Sequence, residues 1–436
     1  MALKAKNALG IVFFPAYDWA ISPSHPEREE RLLYTHDQVM EEGVFDIDGI
    51  KELVPKVAEE ADVNRVHICV PDVSTRVTHS HMVSAGGAIR AAEAVMDKEV
   101  DKAFAVVRPP GHHAHRVVWG DRGFCIINNE AIMIEHIRKK YGKMRIAIVD
   151  TDCHHGDGSQ DIFWHDRDTL FISLHQDGRT LYPGSGFTDE LGGPNAYGYT
   201  LNIPLPPGTT DEGYLYVVDN VVLPVLSEFK PDIVINSAGQ DNHYTDPITN
   251  MAISAQGYAE LNRRINPDIA VLEGGYSIEG ALPYVNVGIM LAMAGLDFSG
   301  IREPDYSEEM SRQSRLEMDY IKRVCDEVYK KWSQRDVLRE RYLQGKKVVE
   351  RQRRIYYDTD NIMEYQREKT WVCSCSGLTC IESHAEGDKV YAVIIPRDAC
   401  DRCYEAGIQE WEKARKVYGA VYLQDKRNDV FRKAIA

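Results

Sequence analysis

The stretch Val149-Asp150-Thr151-Asp152-Cys153-His154-His155-Gly156-Asp157-Gly158 sets three potential metal ligands at alternating positions. It follows the apolar, β-like run Arg145–Val149. In extended geometry Asp150, Asp152 and His154 point to one side of the chain. Two carboxylates and an imidazole converging at a strand end suit a hard-to-borderline divalent cation. Gly156 and Gly158 let the backbone fold sharply over such a site. A catalytic centre of this kind needs a further protein ligand and an open coordination position. Asp241, in Ser237-Ala238-Gly239-Gln240-Asp241 after the run Asp232–Asn236, is the candidate ligand. Asp246, followed by Pro247, reads more readily as a turn residue.

Two further motifs supply acid–base and oxyanion chemistry. His112 and His113 lie in Arg108-Pro109-Pro110-Gly111-His112-His113-Ala114, directly after the run Ala103–Val107. Adjacent imidazoles suit general acid–base work near neutral pH. Leu272-Glu273-Gly274-Gly275-Tyr276 ends another apolar run, and its glycines make a tight turn that can deliver the Tyr276 hydroxyl as a donor to a developing oxyanion.

Elements that position these residues can be read from the same pattern. Apolar runs recur at Leu9–Phe14, Val66–Val70, Ala103–Val107, Arg145–Val149, Thr169–Leu174, Asp232–Asn236 and Asp268–Leu272. Helical patterns lie between them, at Glu27–Glu42, Ala85–Met96, Asn129–Tyr141 and Gly213–Phe229. The alternation predicts an α/β fold, a mostly parallel sheet with helices on both faces. In such sheets ligands sit beyond the carboxyl ends of the strands, where the candidate residues cluster.

Together Pro-Gly-His-His-Ala, Asp-x-Asp-x-His-His-Gly-Asp-Gly, Ser173–Gly186 with its Tyr-Pro-Gly-Ser-Gly, Ser-Ala-Gly-x-Asp and Glu-Gly-Gly-Tyr resemble the zinc-dependent histone deacetylase superfamily. That superfamily includes acetylpolyamine amidohydrolases and acetoin-utilisation proteins. The resemblance runs from Leu9 to about Leu296, is closest to the class II and bacterial or archaeal branch, and includes His25-Pro26-Glu27 with Arg31. It implies the arginase/deacetylase fold and a catalytic zinc, or ferrous iron, held by Asp152, His154 and Asp241. It implies that Asp150 accepts a hydrogen bond from His112 and Asp157 from His113. His113 would then be general base and acid, His112 mainly electrostatic, and Tyr276 the oxyanion donor. Phe124 and Tyr182, with Gly275, would bind the substrate in an apolar tunnel. The backbone around Asp150, with Ser173 and Leu174, would hold a structural potassium ion. Gln240, Cys153, Leu181 and Tyr182 depart from the family's usual residues, which bears on substrate selectivity.

The implied reaction is hydrolysis of an N-acetyl or acyl lysine side chain to acetate and a free amine, on a peptide or protein. The alternative is a small-molecule amidohydrolase acting on acetylpolyamines or related acetylated amines. A fold retained for binding alone has no need of the full set of ligands, histidines and Tyr276. An arginase-like dimanganese centre would need additional ligands that the sequence does not offer.

The chain has 436 residues and a formal net charge of −16, which argues against a nucleic-acid backbone as a direct partner. No apolar run reaches membrane-spanning length, so no membrane partner is expected. The catalytic domain is read as residues 1–300, a charged helical extension as 301–365 and a Cys-rich module as 366–436. Pro304–Tyr357 reads as one or two long solvated helices, with Met318, Ile321, Cys325 and Val328 at helical spacing. Five of the nine cysteines, Cys373, Cys375, Cys380, Cys400 and Cys403, crowd into the last part of the chain, with His384 among them. That usage fits a reducing cytoplasm and one local structural zinc. Redox-active thiols are the alternative. Spacing does not say which four of the six would bind. A homo-oligomer is compatible with all of this.

Overall fold

The computed structural model describes residues 3–14, 20–22 and 24–435. The strands of the first part are β1 (Lys4–Phe14), β2 (Asp48–Leu53), β3 (Ile68–Cys69), β4 (Lys102–Val107), β5 (Val117–Val118), β6 (Ile146–Asp150), β7 (Thr169–Gln176), β8 (Thr200–Leu205), β9 (Ile233–Ala238) and β10 (Ile269–Leu272). Eight of them form one sheet in the order β2-β1-β4-β10-β9-β6-β7-β8. Every pairing in it is parallel. Four adjacent strands, β4, β10, β9 and β6, therefore discharge His112–His113, Tyr276, Asp241 and Asp152–His154 at a single edge.

Both faces of this sheet are buried, as an all-parallel sheet requires. Ala147 and Val149 of β6 face one apolar cluster, Ile146 and Ile148 the other. Helices His79–Met96 and Asn129–Tyr141 cover the second face. Helices Glu30–Glu41, Ala255–Ile265 and Leu282–Met293 cover the first. They are joined there by helix Arg315–Ser333, which is not a purely solvated helix: Ile321, Cys325, Val328 and Trp332 form a buried stripe along it.

The strand reading needs three corrections. Val66–Val70 contributes only β3, which pairs with β5 outside the large sheet. The edge strands β2 and β8 were not legible. In β2 only Ile50 and Leu53 are buried, and in β8 Asn202 and Pro204 interrupt the apolar run. Proline is tolerated there because β8 is an edge.

The third correction concerns the region after residue 300. The helices end at Leu343, not near residue 365, and a second sheet begins at Val348. It comprises β11 (Val348–Tyr357), β12 (Ile362–Trp371), β13 (Thr379–Ala385), β14 (Asp388–Ile395), β15 (Ala420–Asp425) and β16 (Val430–Ile435), in sequence order. All pairs are antiparallel except β14 and β15, which helix Asp401–Ala414 connects. The period-two signal of β12 is real, but its inward positions include Glu364, Gln366 and Glu368, so hydropathy conceals it. One face of this sheet packs on Ile68, Val70, Val117 and Trp119, and the other on Trp411 of its own helix.

Helix His79–Met96 passes so close to the chain at Lys56 that a Cβ on Gly86 would lie 1.9 Å from the Lys56 carbonyl oxygen. Glycine-to-alanine in a helix ordinarily stabilises by about 1 kcal/mol. Here Gly86→Ala should instead destabilise by about 1–3 kcal/mol, because the obstacle is backbone. Urea unfolding monitored by circular dichroism measures the sign.

Candidate active site

At the shared strand edge, Asp152, His154 and Asp241 come together with one ligand atom each, all within 4.8 Å of one another. His154 Nδ1 lies 2.8 Å from Asp241 Oδ2 and 3.2 Å from Asp152 Oδ1. The other carboxylate oxygens are held by backbone. Asp152 Oδ2 accepts from the Gly274 amide at 2.7 Å, and Asp241 Oδ1 from the Cys153 amide at 2.8 Å. Gly274 is required here, since a Cβ would stand 2.5 Å from Asp241 Oδ2 and 2.6 Å from Asp152 Oδ2. Two buried carboxylates facing one imidazole push the His154 pKa up to about 10 in spite of its burial. This donor set, two hard oxygens and one imidazole nitrogen in a buried site short of positive charge, fits a divalent cation.

Asp150, the third member of the alternating motif, is not in this group. It is the last residue of β6, and its Oδ2 lies 3.2 Å from His112 Nδ1. Asp246 is not in the group either; its Oδ2 accepts from the Tyr276 amide at 2.8 Å. Ser173 and Leu174 lie on β7, with Ser173 paired to Asp150.

The histidine pair is split electrostatically. Burial opposes charge on His112, yet the carboxylates of Asp152 and Asp150 outweigh it and hold the pKa well above the ordinary value. Burial and the neighbouring His112 bring His113 down to about 3. His113 Nδ1 is 2.8 Å from Asp157 Oδ1, which directs Nε2 away from that carboxylate. Against the cost of burial, Arg122 and then His115 keep Asp157 well below the usual carboxylate range. The rings of His112 and His113 lie 4.1 Å apart, and His113 is 6.0 Å from His154, centroid to centroid.

Around these groups the wall is aromatic. Tyr182 lies 5.2 Å from His113 and 6.3 Å from His154, and Phe124 lies edge-on to Tyr276 at 5.8 Å. Phe124 is held at φ +68, a left-handed conformation that costs a large side chain about 1–2 kcal/mol. Tyr276 is nearly buried, with the Arg31 guanidinium 4.9 Å over its ring.

Sequence reasoning named Glu27 and Arg31 only as part of the resemblance and gave no role to the groups that brace this wall. Fully buried Arg31 donates to the Gly275 carbonyl at 2.7 Å, to the Glu273 carbonyl at 2.5 Å and to Glu27 at 2.9 Å. Glu27 also pairs with buried Arg108. The Glu273 carboxylate accepts from the Gly111 and His112 amides at 2.7 and 3.0 Å. The signal for Arg31 and Glu27 was their place beside His25-Pro26, and for Glu273 its place before the Gly-Gly turn.

A separate group lies in the second sheet. The sulfurs of Cys373, Cys375, Cys400 and Cys403 are all within 4.8 Å of one another, with Cys373–Cys400 at 3.8 Å and Cys375–Cys403 at 3.6 Å. A tetrahedron with metal–sulfur bonds of about 2.3 Å places its sulfurs about 3.8 Å apart. Cys380 is not part of it: this residue points from β13 into the apolar layer under helix Asp401–Ala414. His384 is exposed on the same strand.

Residues 70–286 match the family described as Histone deacetylase domain. A protein of Archaeoglobus fulgidus named probable deacetylase is 48% identical over 358 residues, covering 74% of this chain and 98% of that protein. The acetoin utilization protein AcuC of Bacillus subtilis is 30% identical over 339 residues, covering 69% of this chain and 86% of that protein. An acetylpolyamine amidohydrolase of Burkholderia pseudomallei is 40% identical over 201 residues, covering 45% of this chain and 57% of that protein. The crystal structure of the HDA15 HD domain superposes with a TM-score of 0.65 at 25% identity, covering 78% of this chain and 99% of that one.

Glu130, at the start of helix Asn129–Tyr141, is buried near Glu273 and accepts from the Ser237 hydroxyl at 2.7 Å. Burial, then Glu273 and Asp150, push its carboxyl well above the ordinary value of 4.5, so the native state keeps a proton that the unfolded chain releases. Wild-type stability therefore falls as pH rises above that value. Glu130→Gln removes this dependence while keeping the acceptor. Its stability relative to wild type should climb with pH from 4.5 upwards, by as much as about 1.4 kcal/mol per unit. Chemical denaturation at a series of pH values reads it, and a flat difference refutes the assignment.

Proposed function

The chain belongs to the histone deacetylase superfamily, and from that premise we propose that it is a metal-dependent deacetylase hydrolysing the amide of N-acetyl or acyl lysine side chains, with release of acetate. The observation that carries the reading is the placement of the Asp152–His154–Asp241 group beside a carboxylate-tethered His113 under an aromatic wall. Asp152, His154 and Asp241 would hold zinc or ferrous iron. Bound there, such a cation supplies Lewis acidity to a carbonyl and makes water a stronger acid.

Protein groups perform the remaining steps. His113, with Nδ1 committed to Asp157, takes the proton of the attacking water on Nε2 and returns it to the leaving amine. His112, tied to Asp150, acts mainly through electrostatics on the negative charge that builds up in the tetrahedral state. The Tyr276 hydroxyl donates to the oxyanion. Its pKa is held well above 10, burial being the main cause, so it keeps its proton for that bond. Phe124 and Tyr182 grip the alkyl chain and keep bulk water out. The backbone near Asp150, Ser173 and Leu174 is assigned a structural potassium ion. The second reading, a small-molecule amidohydrolase for acetylated amines, is favoured by the 40% identity to the Burkholderia enzyme.

A panel of acetyl-lysine peptides and N-acetylpolyamines, assayed with the zinc- and iron-loaded protein, separates the two readings. On whichever substrate is accepted, Asp241→Ala should abolish both turnover and the active-site metal with the fold intact. Tyr276→Phe should lower kcat by about a hundred-fold to a thousand-fold with KM little changed. A near wild-type kcat in Tyr276→Phe would make that residue a rim tyrosine.

The Cys373–Cys375–Cys400–Cys403 group is assigned a structural zinc, which pins the end of β12 to the start of helix Asp401–Ala414. Elemental analysis of full-length Cys375→Ser or Cys403→Ser should find one zinc fewer than wild type. Cys380→Ser should keep the wild-type content. Equal zinc in all three variants overturns the assignment.

A further inference from the structure

The loop that brings Phe124 to the site is held from outside by the second sheet. Asp358, in the turn between β11 and β12, uses a single carboxylate oxygen for two bonds: it accepts from the Tyr182 hydroxyl at 2.9 Å and from the Gly123 amide at 3.0 Å. The Tyr356 carbonyl accepts from Arg122, which donates to Asp157 from Nε at 3.1 Å and from Nη2 at 2.5 Å. Asp360 accepts from the Asp121 amide at 2.7 Å. Gly123 has φ +53, and a Cβ there would lie 2.5 Å from His113 Cδ2 and 3.0 Å from Tyr182 Cε1. The backbone that Asp358 holds is thus in contact with both the histidine and the wall.

A second route leads from the same hairpin to the same carboxylate. Arg353 of β11 pairs with Asp161 at 2.5 Å. Asp161 faces His115 Nδ1 at 3.5 Å, and His115 Nε2 is 3.1 Å from Asp157. All of these hairpin residues lie beyond residue 286, where the match to the family ends.

We propose that the β11–β12 hairpin is a working part of the active site, with Asp358 a positioning residue that sets Tyr182 and the Gly123–Phe124 backbone against His113. The inference rests on the reading of His113 as the base. It assigns the second sheet a role in catalysis rather than that of a tethered neighbour. Asp358 acts mainly on the substrate wall. The His113–Asp157 bond has its own supports in Arg122 and His115, so loss of Asp358 should weaken substrate binding more than proton transfer.

Full-length Asp358→Ala, Asp358→Asn and Glu386→Ala provide the test. Glu386 lies in the β13–β14 turn of the same sheet, outside the site, and controls for general loosening. Asp358→Ala should raise KM for an acetyl-lysine peptide about ten-fold, with kcat changed less than about three-fold. Asp358→Asn keeps the double acceptor and should restore most of the KM. Hydrogen–deuterium exchange, which needs no turnover, should quicken over residues 120–125 in Asp358→Ala and remain at the wild-type rate in Glu386→Ala. Unchanged KM together with unchanged exchange in Asp358→Ala overturns the proposal. An equal effect of Glu386→Ala also overturns it, in favour of general loosening. His113→Ala, assayed alongside, isolates the reading beneath it: turnover persisting there rejects His113 as the base, while the exchange result still decides the role of Asp358.

Discussion

Asp150, Asp152, Asp157, Asp241 and Glu273 are all buried at the carboxyl edge of one parallel sheet. An ionised carboxylate removed from water is costly unless it is paired and hydrogen-bonded. Much of the polar architecture answers that constraint. Backbone amides serve Asp152, Asp241 and Glu273, imidazoles serve Asp150 and Asp157, and Arg122 adds its charge at Asp157. The group at Asp152 and Asp241 sets His154, with His112 3.8 Å from Asp152, against two buried carboxylates, and one ligand atom from each of Asp152, His154 and Asp241 is placed where a cation could be held.

The same constraint makes two adjacent histidines chemically unlike. His112 faces Asp150 and Asp152, whose carboxylates outweigh its burial and raise its pKa. The pKa of His113 is held low by its burial and by the neighbouring His112, which together outweigh its bond to Asp157. Neighbouring residues of one type thus differ in their affinity for a proton through burial and through the groups each one faces. The buried Arg31–Glu27–Arg108 arrangement joins the end of β4 to the turn after β10, so the segments bearing the histidines and Tyr276 share one support.

Much of this was legible in the sequence, for a physical reason. Asp152, Asp241, His113 and Tyr276 each stand just past a strongly apolar run, and parallel sheets collect such positions at one edge. The braces were less legible. Arg31 and Glu27 could be seen only as neighbours of His25-Pro26. Strand β12 was hidden because buried Glu364, Gln366 and Glu368 look solvated in a hydropathy reading. The separation of Cys380 from the other four thiols depends on which face of β13 it occupies, which spacing does not encode. Asp358 left no local trace, because its partners Gly123 and Tyr182 lie 235 and 176 residues earlier in the chain.

That separation bears on biosynthesis. The ribosome makes every strand of the large sheet before it makes β11, and domains generally fold in the order of their synthesis. Until β11 and β12 are made, Asp152, His154, Asp241 and the histidine pair are already in the chain, while the loop at Gly123 lacks the Asp358 carboxylate to which it donates in the finished structure. At about 5–20 residues per second, an interval of seconds separates the synthesis of Asp241 and Tyr276 from that of the hairpin carrying Asp358. A product broken off between Leu343 and Val348 would contain the sequence of every strand of the parallel sheet and lack Asp358. The order of the two sheets along the chain thus leaves Gly123 and Tyr182 without their shared Asp358 acceptor until the later strands have been made.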